Sequence, residues 1–399
     1  MTRSPIERAL NIDDLRRLAR RRVPGFALAY LESGAEDHAT LDWNRQVFAR
    51  WRFVPDTLVD ASQRSLKTRI LGAPARMPLA VAPTGFNGML CHRADVLLAQ
   101  AARDAGIPFT LSTMSSASIE DIAREVPGGR FWFQLYMLRD REITRDLLRR
   151  AEAAGCEALV FTTDCVHFGN RESERRFFRA PMKLSLRSML DTACHPGWVF
   201  DVVGRGRGVP GFGNLASYFP AEDRKGRGAA FIVSRLDTGI RWDDLRFLRD
   251  NWQGKLVVKG ILHTRDARQA AGLGADAIVL TNHGGRQLDG TISPMEALEA
   301  VRGDCPDLEI LIDGGFRRGT DIAKALALGA DAVMLGRALL YGAAAAGRAG
   351  IDKALGILGS ELDRTLGQLG AVSVADLEAR HVRRGANMED THAISAGRT

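Results

Sequence analysis

From residue 77 onward, short apolar runs alternate with amphipathic stretches. The runs fall at residues 79–83, 107–111, 131–135, 158–162, 255–259, 277–281, 309–313 and 332–335. Each is apolar at consecutive positions, which suits a parallel strand buried on both faces. Two phrases nearly repeat, LGADAIVL at 273–280 and LGADAVML at 328–335, and AGCEALVF at 154–161 is a looser copy. Each reads as a helix ending at glycine, a tight turn, and a strand entering the core. Eight such units predict an α/β fold, a (β/α)8 TIM barrel and not an open doubly wound sheet.

The pattern changes at both ends and once in the middle. Residues up to about 70 read as polar and helical. Asn11 offers a cap, Asp13 and Asp14 lie in the first turn, and Arg16 to Arg22 load the far end, as the helix dipole favours. Pro24 starts a second helix through Tyr30 and Leu31 that stops at Gly34. Residues 1–76 are therefore expected to cap a barrel spanning 77–380. The rhythm breaks over 181–228, where Leu186, Met189, Leu190, Trp198, Phe200, Phe212 and Phe219 mix with Lys183, Arg187, Arg205, Arg207, Arg224, Lys225 and Arg227. Such an insertion suits an active-site lid or a segment lying in a membrane interface. The polar, aperiodic stretch 381–399 reads as a disordered tail.

Composition narrows the partners. The 399 residues are 45% apolar and 26% charged, with a net charge of +7 spread along the chain. That favours a small anion or a membrane surface over nucleic acid. Five scattered cysteines without a CxxC pair point to a reducing, cytoplasmic setting, and no histidine–carboxylate cluster has metal-ligand spacing. No apolar run is long enough to span a bilayer.

Functional groups of a (β/α)8 barrel project from the C-terminal ends of its strands. Here those ends carry Pro83, Thr84 and Gly85; Ser112; Gln134 and Tyr136; Thr162, Asp164 and Arg171; Lys259; Thr281, His283 and Arg286; Asp313, Gly314, Gly315 and Arg317; and Gly336 and Arg337. His283 can move a proton near neutral pH, and Arg286 can hold a carboxylate by two parallel hydrogen bonds. Taken alone, that loop is equally a solvated polar turn. Glycines and arginines after the last two strands form a phosphate site. Lys259 is either a Schiff-base nucleophile or a positive charge beside an electron-rich ring, and the phosphate site and carboxylate-binding arginines favour the second.

Together these residues resemble the FMN-dependent 2-hydroxy-acid oxidases and dehydrogenases. The matching phrases are YLESGAED at 30–37, APTG at 82–85, WFQLY at 132–136, TTD at 162–164, KG at 259–260, NHGGRQLD at 282–289, DGGFR at 313–317 and LGR at 335–337. WRF at 51–53, HPGW at 195–198, ISPME at 292–296 and FRRG at 316–319 resemble the branch that oxidises (S)-mandelate. The resemblance implies oxidation of an (S)-2-hydroxy acid, (S)-mandelate to benzoylformate, with electrons passed to a quinone-type membrane acceptor. It makes His283 the base, paired with Asp164. Arg286 and Arg171 hold the substrate carboxylate, and Tyr136 and Tyr30 hydrogen-bond the substrate. Lys259 lies near the flavin N1–C2 carbonyl, while Pro83, Thr84, Gly85, Ser112, Gln134, Thr162 and Thr281 line the flavin. Asp313 holds the ribityl chain, and Gly314, Gly315, Arg317, Gly336 and Arg337 the phosphate. It also implies a homotetramer, peripheral on the inner face of the cell membrane through the insertion. Gly85 stands where many oxidases of the family have alanine, which favours a dehydrogenase over an oxygen-using enzyme. Met114 stands where members acting on glycolate have tryptophan, which leaves room for an aromatic substrate. Lactate as substrate, oxygen as acceptor, and a non-redox flavin isomerase are the rival readings.

Overall fold

The computed structural model describes residues 4–180, 183–218 and 234–385. Part of the expected insertion, including Phe219, Arg224, Lys225 and Arg227, and the end of the expected tail lie outside them. Eight parallel strands close a barrel: β1 Leu79–Val81, β2 Phe109–Ser112, β3 Phe131–Leu135, β4 Ala158–Thr162, β5 Lys255–Ile261, β6 Ala277–Leu280, β7 Glu309–Ile312 and β8 Ala332–Leu335. Each pairs with its sequence neighbours, and β8 pairs with β1. All eight lie where the apolar runs predict them.

Alternation along each strand sorts its residues. Trp132, Ala158, Val160, Val257, Ala277, Val279, Leu311 and Met334 form one inward-facing cluster. Leu159, Phe161, Leu256, Val258, Ile278 and Ile310 face the helices in the other. The hairpin of Thr68–Ile70 and Ala73–Ala75 closes the floor, with Ile70, Leu71 and Ala75 joining the inward cluster. The amide of Leu71 donates to Glu309 at 2.7 Å. One alternation further up come Gln134, Thr162, Lys259, Thr281 and Asp313, all buried. The same register that seals the barrel below therefore aims these polar groups into its mouth.

The N-terminal segment carries three helices, Ile12–Arg22, Gly25–Glu32 and Ala39–Gln46. Asn11 caps the first, accepting from the amide of Asp14 at 2.8 Å. The expectation of helix up to residue 70 does not hold. Trp51–Phe53 is a strand paired antiparallel with Val382–Arg384, in the stretch read as the start of a disordered tail. Val382 is buried while Arg383 and Arg384 are exposed, so the strand owes its order to its partner and not to local composition.

The described part of the insertion has two faces. Ser185 caps the helix Leu186–Ala193. Trp198, Val202, Phe212 and Leu215 are buried, and the Trp198 indole donates to the carbonyl of Met89 at 2.9 Å. Leu186, Met189, Leu190, Phe200 and Val209 stand outward in water. No helix among the described residues is long and apolar enough to cross a membrane.

The β6 loop docks the N-terminal helices. The residue before Ala39–Gln46, His38, offers no side-chain cap. Asp289 supplies one from the barrel, accepting from the amides of Thr40 at 2.7 Å and Ala39 at 3.1 Å. Partial burial opposes its ionisation, but these amides outweigh it and hold the carboxyl below its usual range. Its contribution is thus present above the unfolded carboxyl value of about 3.9 and is lost as pH falls through the folded value. Asp289→Ala is expected to cost about 1 kcal/mol in urea unfolding at neutral pH. The difference from the parent chain should shrink below the ordinary carboxylate range, and a difference that persists there would contradict the capping role.

Candidate active site

A cavity of about 550 Å³ opens at the C-terminal mouth of the barrel. Its wall includes Tyr30, Pro83, Thr84, Gly85, Ser112, Tyr136, Arg171, Lys259, His283, Arg286, Asp313, Gly314, Gly315, Arg317, Gly336 and Arg337. Asp164, Gln134, Thr162 and Thr281 sit one layer behind. Among the described residues no group of three metal-binding side chains could hold an ion.

His283 adopts a left-handed backbone at φ 57°, a costly conformation for a residue with a Cβ. Its amide donates to Thr281 Oγ1 at 2.9 Å. The next turn is closed by the amide of Gly285, which donates to the carbonyl of Asn282 at 3.0 Å. These bonds turn the ring so that Nδ1 meets Asp164 Oδ1 at 3.0 Å. Burial works against ionising Asp164, but His283 and then Lys259 outweigh it and keep the carboxyl below its usual value. An ionised Asp164 accepts Nδ1–H, which leaves the Nε2 lone pair facing the cavity. The hydroxyl of Tyr136 lies 3.4 Å from Nε2. Burial, with Cys165 and Asp164 nearby, holds that phenol far above its usual range, so it stays a neutral donor.

Arg286 and Arg171 reach the same cavity. Arg286 Nη1 donates to the carbonyls of Tyr30 and Ser33, both at 2.9 Å, and to Ser33 Oγ at 3.0 Å. It thereby caps the C-terminus of helix Gly25–Glu32, which has no basic residue in its own last turn. Its Nη2 donates to Glu174 Oε1 at 3.0 Å. Arg171 is fixed by Nε donating to the carbonyl of Arg286 at 3.2 Å and Nη2 to Gln287 Oε1 at 3.3 Å. Burial and then the neighbouring Arg171 lower the Arg286 value, while Glu174 offsets them. Tyr30 points its hydroxyl at the carbonyl of Gly85, 2.9 Å away.

At the base of the cavity the Lys259 ammonium is 2.8 Å from Asp313 Oδ2 and 3.1 Å from Thr281 Oγ1, and Thr281 donates to Asp313. Burial disfavours the charge on Lys259, but Asp313 and Asp164 more than restore it. Gln134 Oε1 accepts from Ser112 Oγ at 3.0 Å, while Gln134 Nε2 and Thr162 Oγ1 are buried without a protein partner. Two unpaired polar groups behind a fixed cation suit a flat ring with a polar edge. At the far end, burial and then Arg286 and Arg317 push Arg337 down to about 9. Arg337 begins the helix Arg337–Leu369, which has no side-chain cap and no acid in its first turn. Clustered arginines at an uncapped helix start suit a phosphate.

Sequence reasoning placed the cavity residues together but missed their supports. Asn282 exchanges hydrogen bonds with Asn44 at 2.8 and 2.9 Å. Gln287 Nε2 donates to the carbonyls of Asp164 at 3.1 Å and His167 at 3.2 Å. A Cβ on Gly285, at φ 74°, would lie 2.6 Å from the amide nitrogen of Leu41. The phrase NHGGRQLD was the signal, since five of its eight residues are polar. Glu174 was missed altogether, being one acid in a charged run.

A family model described as FMN-dependent dehydrogenase matches residues 19–384. The chain is 45% identical over 377 residues to (S)-mandelate dehydrogenase of Pseudomonas putida, covering 94% of this chain and 93% of that protein. It is 39% identical over 368 residues to L-lactate dehydrogenase of Vibrio cholerae serotype O1 (strain M66-2), covering 91% and 96%. A crystal structure of the monotopic membrane protein (S)-mandelate dehydrogenase superimposes with a TM-score of 0.90 at 44% identity, covering 95% of this chain and 100% of that one. A crystal structure of mandelate oxidase gives 0.79 at 35% identity, covering 94% and 98%. The chain thus has relatives along nearly its whole length, and it belongs to the FMN-dependent dehydrogenase family of oxidoreductases.

Proposed function

We propose that the chain oxidises an (S)-2-hydroxy acid to the 2-oxo acid, with mandelate as substrate and FMN in the barrel mouth. The observation that carries this is His283, its Nδ1 held by Asp164, lining the same cavity as Arg286 and Arg171. The aromatic wall of Phe26, Phe168, Phe178 and Phe212, with Met114, suits a phenyl group.

In this reading Arg171 and Arg286 bind the substrate carboxylate, and Tyr136 hydrogen-bonds the substrate. Nε2 of His283 takes the proton, and Asp164 stabilises the imidazolium that forms. Pro83, Thr84, Gly85 and Ser112 would line the ring of FMN, with Gln134, Thr162 and Thr281 behind them as its polar contacts. Asp313 holds its ribityl chain, and Gly314, Gly315, Arg317, Gly336 and Arg337 its phosphate. Bound FMN supplies the two-electron acceptor. Lys259, held charged by Asp313 and Asp164, would offer its ammonium to the polar edge of the ring.

Residues 1–76 serve as cap, 77–380 as barrel, and 181–228 as the membrane-associating insertion, of which Trp198 and Phe212 among the described residues line the cavity. Leu186, Met189, Leu190 and Phe200 would enter the headgroup region with Lys183 and Arg187 at anionic lipid, on the cytoplasmic side. A quinone-type acceptor in the bilayer then takes the electrons, and the assembly is a homotetramer, a reading that rests on family resemblance. The dehydrogenase reading rests on Gly85 standing where many oxidases of the family have alanine; a Cβ there would lie 2.9 Å from Met114 Cβ.

Anaerobic (S)-mandelate should bleach the flavin absorbance of the purified protein, and air should restore it slowly. No bleaching would overturn the substrate, and fast reoxidation the dehydrogenase. His283→Gln should keep FMN and slow bleaching about 10²- to 10⁴-fold; an unchanged rate would remove His283 from the proton-transfer step. The triple change Leu186→Ser, Leu190→Ser, Phe200→Ser should abolish sedimentation with phosphatidylglycerol vesicles while leaving turnover with a soluble dye intact. Undiminished sedimentation would rule out this face as the contact.

A further inference from the structure

Glu174 lies on the cavity wall within the short helix Glu172–Arg175, directly after Arg171. Its Oε1 accepts from Arg286 Nη2 at 3.0 Å and from Ser33 Oγ, and lies 3.9 Å from Arg171 Nη1. All three side chains are largely enclosed, at 14% exposure for Arg286, 15% for Arg171 and 18% for Glu174. The chain thus places a carboxylate of its own against the two guanidinium groups that receive the substrate carboxylate.

We infer that Glu174 is a specificity-determining positioning residue that matches this clamp to a singly charged acid. The inference rests on the clamp assignment made above. Two arginines and one glutamate leave a single net positive charge, which one ligand carboxylate neutralises. A second carboxylate on the same ligand carbon would meet Glu174 at close range in an enclosed site, where an uncompensated charge is costly. Glu174 also fixes which edge of Arg286 is offered. Nη1 serves Tyr30 and Ser33, and one Nη2 hydrogen serves Glu174. Nε–H and the other Nη2–H make the parallel pair left for a ligand carboxylate.

Charge and geometry can be separated, because Oε1 alone makes both hydrogen bonds. The carbonyl oxygen of glutamine can take them over without the charge. The probes are phenylacetate and phenylmalonate, which share a phenyl group, differ by one carboxylate and carry no oxidisable hydroxyl. Their Kd values are read from perturbation of the flavin spectrum of the FMN-loaded enzyme. The parent should bind phenylacetate more tightly. Glu174→Gln should shift the ratio of the two Kd values towards phenylmalonate by about tenfold or more. Glu174→Asp, which keeps the charge, should weaken both ligands and leave the ratio at the parent value. An unchanged ratio in Glu174→Gln, or an equal shift in Glu174→Asp, would overturn charge matching even in an enzyme that (S)-mandelate reduces. Failure of the parent to bind either probe would overturn the clamp itself and this inference with it.

Discussion

A closed parallel barrel gives every strand one column of inward positions, and everything at the mouth depends on how those columns end. Below, the columns must be apolar, because no water reaches them and an unpaired polar group there costs about 1–3 kcal/mol. Val160, Val257, Val279 and Leu311 meet that demand. Two residues on, the same columns place Lys259 and Asp313 in the cavity wall and Thr162 and Thr281 one layer behind it. Sealing and function are successive layers of one register, so a slip of one residue would lose both.

Buried charge at the mouth is handled in pairs. Lys259 has Asp313, His283 has Asp164, and Arg286 has Glu174. Removing one member of such a pair leaves its partner uncompensated, which costs more than the pair itself contributes. Arg337 is the exception: burial, then the neighbouring Arg286 and Arg317, hold it below its usual range. A doubly charged phosphate is the ligand that suits these arginines, and the uncapped helix start at Arg337 adds its dipole to the same point.

The β6 loop is where chemistry and architecture share residues. Arg286 caps a helix some 250 residues earlier while presenting its other edge to the cavity. Asn282 and Asp289 fasten the N-terminal helices, and Gln287 holds the carbonyls of Asp164 and His167. This coupling places Tyr30 against Gly85 at the cavity wall. The strain at His283 is held in place by the bonds on either side of it.

The sequence by itself determined the barrel, because eight consecutive apolar runs with polar ends are a local and repeated signal. It also pointed to the strand ends as the place where polar groups gather, since functional groups of such a barrel project from the C-terminal ends of its strands. Only the tertiary structure decided what depends on partners far along the chain. Val382–Arg384 is a strand because Trp51–Phe53 lies beside it. Among the described residues of the insertion, Trp198 and Phe212 are buried while Leu186 and Phe200 are exposed, a division set by what packs against them. Glu174 looked like one more acid in a charged run until the fold carried Ser33 and Arg286 to it. Composition and spacing report what a residue can do, whereas its charge partner is set by contacts between distant segments that no local pattern encodes.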